Sequence, residues 1–118
     1  MSSARDLGIM GEEAALSFLS QLGYRLLEKN YRCRLGEIDL IMQDGKALVF
    51  IEVKARRSTF YGVPQEAVGI VKQAKIRRVA EQYIQYKGEE DCQPRFDVVA
   101  VRYQKSGNCT IEHFKNAF

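Results

Sequence analysis

The chain has 118 residues, 46% of them hydrophobic and 28% charged, with two prolines and a formal net charge of +3, the profile of one ordinary globular domain with a modest core. No apolar run approaches the roughly 20 residues of a membrane span, and the polar start Ser2-Ser3-Ala4-Arg5-Asp6 predicts no secretory leader. Three widely spaced cysteines (Cys33, Cys92, Cys109) and one histidine, His113, argue against a disulfide framework or a zinc cluster and fit a reducing cytoplasm.

Residues 5–22 read as a helix, with Leu7, Met10, Ala14, Ala15, Phe18 and Leu22 at helical spacing and Gly23 as the stop. Tyr24 to Arg34 reads as a mixed strand. Gly36 opens a second strand, EIDLIMQ, which the turn Asp44-Gly45 joins to a third, ALVFIEVKAR. That third run is almost continuously apolar, as in a central strand buried on both faces. A loop from Arg57 to Pro64 leads to a long helix over 65–87, with a predicted stripe at Val68, Val71, Val79, Tyr83 and Tyr86. A polar linker, 88–94, precedes a buried strand, Phe96 to Val101, and Ser106-Gly107-Asn108 turns the chain into a last strand, Thr110 to Phe114. The order α-β-β-β-α-β-β predicts an α/β fold: a mixed sheet of about five strands with one helix on each face, three layers α/β/α.

The third strand holds an anomaly. In Val49-Phe50-Ile51-Glu52-Val53-Lys54-Ala55 an acid and a base interrupt the most apolar stretch of the chain. Residues two apart in a strand share a face, so Glu52 and Lys54 stand side by side. Burying them without partners costs on the order of several kcal/mol, which a strand-end ion pair or a functional site would offset. In the second strand, alternation puts Glu37 and Asp39 on one face and Ile38 and Leu40 on the other, and the hairpin brings Asp39 toward Glu52. Two converging carboxylates repel unless a cation lies between them, and one or two carboxylates completed by water and phosphate suit magnesium. The expectation is Mg2+, with Mn2+ as a substitute, on Asp39 and Glu52, while Lys54 orients the attacking water or neutralises developing charge. The plainer reading makes Asp39 a surface acid beside a basic loop. An acid, twelve residues, then E-x-K inside an apolar strand is more specific than either half.

This D…E-x-K arrangement across a hairpin, between two helices, resembles the PD-(D/E)XK, restriction-endonuclease-like nuclease superfamily. With Gly11-Glu12, GEIDLI (36–41), FIEVKAR (50–56), Val71-Lys72-Gln73 and Arg95-Phe96-Asp97-Val98-Val99 added, the chain looks like the YraN-like family of bacterial proteins, related in fold to archaeal Holliday-junction resolvases. The similarity covers residues 8–103, and residues 1–118 are expected to form a single nuclease-like domain with its core at about 5–103. The resemblance implies a metal-dependent phosphodiesterase site with Asp39 and Glu52 as metal ligands and Lys54 as the catalytic lysine. Resolvase-related members add an acid from the first helix. Glu12 borders the apolar stripe and Glu13 points away from it, so Glu12 is chosen, with a surface acid as the alternative. Gln73 matches a glutamine that accompanies the active site in many members. Lys72 interrupts the second stripe and either faces the site or reaches out to solvent. Ile38 stands where the superfamily signature often has proline.

From Arg25 to Arg78 there are twelve Lys or Arg against six Asp or Glu, a basic surplus that suits a polyanion, though a solvated surface is the commoner meaning. Arg32, Arg34, Arg56 and Arg57 flank the expected site and, with Lys72 and Gln73, are the candidates for holding nucleic acid. Lys75, Arg77 and Arg78 are phosphate contacts or plain surface, and Phe60 and Tyr61 stack on an unpaired base or, more simply, cover a core edge. The function expected is a cytoplasmic, magnesium-dependent endonuclease acting on DNA, branched or structured DNA included. The alternative is a nucleic-acid-binding module of a repair or recombination complex without useful cleavage of its own. A third reading makes the acids and lysine an internal ion network. Resolvase relatives act as symmetric dimers, which makes a homodimer an open expectation, and no feature of this sequence marks an interface.

Overall fold

The computed structural model describes residues 3–57 and 68–118. Helix α1 (Ala4–Gln21) starts at a capping box: the Asp6 amide donates to Ser3 Oγ at 3.1 Å and the Ser3 amide to Asp6 Oδ2 at 3.3 Å. The predicted stripe holds at Leu7 and Ala15, with Ala14 and Phe18 part-buried, and fails at Met10 and Leu22, which are exposed; Gly11 and Leu19 are buried instead. Close approach is the reason at Gly11. A Cβ added there would stand 2.6 Å from the Ala55 Cβ, so at this level of the helix only a glycine fits against the sheet.

Strands β1 (Arg25–Cys33), β2 (Gly36–Asp44) and β3 (Ala47–Arg57) follow as antiparallel neighbours. The predicted turn is present, with Asp44 opposite Ala47 and Gly45 at a φ of 60°. Helix α2 (Ile70–Lys87) then crosses over to β4 (Gln93–Tyr103), which runs parallel to β3, and β5 (Cys109–Phe114) closes the sheet antiparallel to β4. The sheet order is β1-β2-β3-β4-β5, a mixed five-stranded sheet with a helix on each side, as the order of elements predicts.

Alternation along β3 splits its side chains between two cores. Leu48 and Phe50 join Ile76, Val79, Ala80 and Tyr83 of α2, while Val49 and Ile51 join Ala15 and Leu19 of α1. Of the predicted stripe Val68, just before α2, and Val79 and Tyr83 are buried, and it fails at two places: Val71 and Tyr86 are exposed. The buried face follows 76, 79, 80 and 83, and Val71 lies off it. Tyr86, in the last turn, carries the Lys87 ammonium over its ring at 5.3 Å instead of packing inward. Among the described residues no helix is long and apolar enough to cross a membrane.

On the α1 side, Asp97 is 0% exposed yet saturated. Arg95 donates from Nε to Oδ1 at 3.0 Å and from Nη2 to Oδ2 at 2.9 Å, the Asn116 amide donates to Oδ1 at 3.0 Å, and His113 Nε2 lies 2.7 Å from Oδ2. Arg95 also donates to Asp44 Oδ2 at 2.9 Å and to the Tyr24 hydroxyl at 2.6 Å. These bonds to His113, Arg95 and the Asn116 amide hold the Asp97 carboxyl below the usual carboxylate range although burial pushes the other way. The network ties β4 to the β2–β3 turn and to the chain beyond β5.

Candidate functional site

The β2–β3 ladder runs from Asp44↔Ala47 to Leu40↔Ile51 and ends there. At the next residue, Asp39 Oδ2 accepts the Val53 amide at 2.8 Å, so a side chain takes the bond that a strand would have supplied. On the other side of β2, Asn30 sits between the pairs Lys29↔Leu40 and Tyr31↔Ile38 with a left-handed φ of 53°. Strict alternation fails at this point. Ile38 packs with Ile41 in the α2-side core and Leu40 in the α1-side core, so Ile38 and Leu40 do not share a face as expected. The physical causes are the lost ladder and the left-handed residue opposite, and the result is a gap in the pairing of β2 and β3 at the level of Asp39.

Glu52 is buried at the other side of that gap, and the two carboxyls are hydrogen-bonded to each other. Burial, then the Glu52 charge, drive the Asp39 carboxyl up from 3.8 to about 7; the Val53 amide opposes this, and the Glu12 charge adds to it. Lys72 of α2 places Nζ 2.8 Å from Glu52 Oε1, and Lys54 of β3 places its own at 3.8 Å from the same oxygen. Burial and the hydrogen bond from Lys72 lower the Lys54 amine below the ordinary lysine range, against the pull of Glu52. For Lys72 burial acts downward too, but its bonds to Glu52 and Lys54 outweigh it and raise the value. Glu12 comes from the opposite layer. It is half-buried where Glu13 is exposed, and burial, with the charges of Glu37 and Glu52, raises its carboxyl against Asn30 and Lys29.

Three carboxyls from α1, β2 and β3 thus influence one another, and two lysines bear on one of them. Among the described residues no group of three or more His, Cys, Asp or Glu is arranged to hold a metal ion. What is present is a two-carboxylate pair, one member of it raised to about 7 by burial and by its neighbour's charge. That donor set fits an oxygen-seeking dication that draws its other ligands from water and phosphate, and does not fit zinc.

The remaining predicted residues are spread around this centre. Lys72, expected among the nucleic-acid contacts, is bonded to Glu52 itself. Gln73 donates from Nε2 to the Val68 carbonyl at 2.8 Å and so braces the entry to α2. Arg32 pairs with Glu37 at 2.9 Å, and Arg34 is exposed between β1 and β2. Arg56 donates to the Ala55 carbonyl at 2.9 Å, and Arg57 is exposed at the end of β3. Arg77 lies over the rings of Phe96 and Phe118, at 4.8 and 5.5 Å, a packing role. Phe60 and Tyr61 fall outside the described residues. Sequence reasoning missed Asn30, whose side chain bonds Glu12. The signal for it was an asparagine, a residue that tolerates left-handed backbone, in the middle of an otherwise strand-like run.

Fold and site together define a class: a mixed α/β domain with paired carboxyls and lysines gathered at the open end of its central hairpin. The sequence model of the uncharacterised protein family UPF0102 matches residues 11–101, and the chain belongs to that family. It is 51% identical over 111 residues to a UPF0102 protein of Syntrophus aciditrophicus, covering 94% of this chain and 87% of that one. A UPF0102 protein of Pelotomaculum thermopropionicum is 47% identical over 120 residues, with both chains covered completely. One from Caldicellulosiruptor saccharolyticus is 46% identical over 115 residues, covering 97% and 98%.

Proposed function

We propose that the protein is a magnesium-dependent endonuclease of the PD-(D/E)XK type, YraN-like, that hydrolyses phosphodiester bonds in DNA, branched or structured DNA included. The observation that carries this reading is the meeting of Asp39 and Glu52 where β2 leaves β3, with Lys54 and Lys72 on the same carboxylate. An ion pair built only for stability has no need of a second, part-buried carboxyl at its side, least of all one pushed up to about 7.

Asp39 and Glu52 would hold the ion, Mg2+ or Mn2+. When bound, it supplies charge neutralisation at the phosphate and a water of lowered pKa. Lys54 is 13% exposed and fixed beside Glu52, so it orients the attacking water and offsets the charge that develops on the phosphate. Lys72 lies on the more exposed side of Glu52 and is placed to turn to a backbone phosphate. Glu12 adds negative charge from the opposite layer. The free cysteines Cys33, Cys92 and Cys109 support a reducing, cytoplasmic setting.

The test is cleavage of supercoiled plasmid and of a four-way junction with Mg2+, Mn2+ or EDTA. Cutting should require the metal, and Asp39→Ala or Glu52→Ala should lower it by about a hundredfold or more, the scale of losing several kcal/mol of charge stabilisation. Salt-dependent DNA binding with no cutting under either metal would make the protein a binding module instead. Absence of both would leave the acids and lysines as an ion network.

A further inference from the structure

We infer that a cavity next to the paired carboxyls receives an unpaired nucleobase of the strand being cut, so that the protein selects DNA with bases free of partners. The inference rests on the endonuclease reading and adds the form of the substrate.

A cavity of about 550 Å³ lies between the start of β2 and the first turns of α2, within the roughly 300–1,000 Å³ range of small-ligand pockets. Gly36, Gly69, Val71 and Ile76 form its apolar walls, and two of these four have no side chain, which leaves room for a flat ring. Lys72 and Lys75 stand at its edge. Glu37 also borders it, but its carboxylate is paired with Arg32 at 2.9 Å, so the edge does not repel an anion as a bare acid would. Lys72 is shared: the side chain that lines the cavity is the one bonded to Glu52 at 2.8 Å. The cavity and the carboxyl pair are therefore bridged by one side chain.

Ile76 is part of the core, but three other apolar residues on the two segments around this cavity are turned toward water. Ile70 is 83% exposed, Val71 72%, and Leu35, immediately before Gly36, 42%. The core explains none of them, and apolar side chains grouped around a charged edge mark a place where a ligand supplies the missing cover. An occupant needs a flat apolar body and an anionic backbone. A nucleotide has both, its base against Val71 and over the two glycines and its phosphate by Lys72 and Lys75. The first turn of α2 has neither an acid nor a side-chain cap, so its amides favour that phosphate as well. A base that is paired and stacked in duplex cannot enter; one at a fork, junction or single-stranded gap can.

The experiment measures binding, by fluorescence anisotropy in EDTA, of a labelled ten-nucleotide oligothymidylate, an abasic ten-mer with the same phosphates, and a blunt duplex. The oligothymidylate should bind about tenfold tighter than the abasic strand, since each stacked base contributes severalfold or more. Val71→Ser, a change at an exposed position, should reduce that ratio to about twofold or less while abasic binding stays as in the wild type. Equal binding of the two strands by the wild type, or a ratio untouched by Val71→Ser, overturns the cavity's role. If metal-dependent plasmid cleavage persists alongside that result, the cavity alone is rejected. No binding to any of the three DNAs, with no cleavage, rejects the endonuclease reading together with it.

Discussion

Replacing Asp39 by asparagine removes a charge and keeps the shape and the acceptor for the Val53 amide, so its effect isolates the cost of that carboxylate in the fold. The carboxyl moves from 3.8 to about 7 on folding. At about 1.4 kcal/mol per tenfold, holding it ionised in the native state costs up to about 4 kcal/mol, and about 2–4 kcal/mol is expected given its partial exposure. The direction follows from proton counting. Below the unfolded value near 4 both states are protonated and the penalty is absent; it grows as pH rises and is complete above about 7. Asp39→Asn should therefore match the wild type in urea unfolding near pH 4 and exceed it by about 2–4 kcal/mol at pH 8 in EDTA. Millimolar Mg2+ should stabilise the wild type at pH 8 and leave the variant unmoved. An advantage that does not change with pH, or a variant less stable at pH 8, would show that Asp39 is an ordinary structural acid and would remove the main support for a cation site.

Lys72→Gln takes an ammonium from 2.8 Å away from Glu52 and should tighten Mg2+ binding by about tenfold in calorimetry, because a cation no longer has to be displaced; weaker binding would mean that Lys72 organises the pair. Gly11→Ala should lower unfolding stability by about 1–2 kcal/mol, since overpacking against Ala55 exceeds the roughly 1 kcal/mol gain in helix propensity; a thermal melt that rises would refute the close packing. Asp97→Asn should destabilise by about 3 kcal/mol near neutral pH, where it breaks a buried charge pair. Because the Asp97 carboxyl lies below its unfolded value, the wild type should lose this advantage as pH falls below about 4, and acid titration of the variant should lack that step.

The central hairpin was legible because each signal in it is local. A continuous apolar run marks β3, Asp44-Gly45 marks the turn, and the spacing of Glu52 and Lys54 puts them on one face, where they lie 3.8 Å apart. What escaped depends on contacts distant in sequence. The buried side of α1 was read correctly at Leu7 and Ala15 but not at Met10 and Leu22, where size misled, nor at Gly11, which the approach to Ala55 demands. The faces of Ile38 and Leu40 could not be read by counting in twos, since the break in alternation arises from where a neighbouring strand stops pairing. Lys72 was noticed as out of place in its stripe, but its partner lies 20 residues away on another element. Nor does any local pattern show that an arginine at 95 and a histidine at 113 converge on Asp97.

The sheet that separates the two cores also separates their energetics. Truncations in the α1 layer, such as Leu19→Ala, and in the α2 layer, such as Val79→Ala, touch different neighbours and should combine additively in stability. The gap between β2 and β3 is the exception. Through it Glu12 of one layer senses the charge on Glu52, which Lys72 of the other layer holds. Substitutions at Glu12 and Lys72 should therefore fail to add, and a double-mutant cycle between them would measure how far two otherwise independent halves of the molecule act as one.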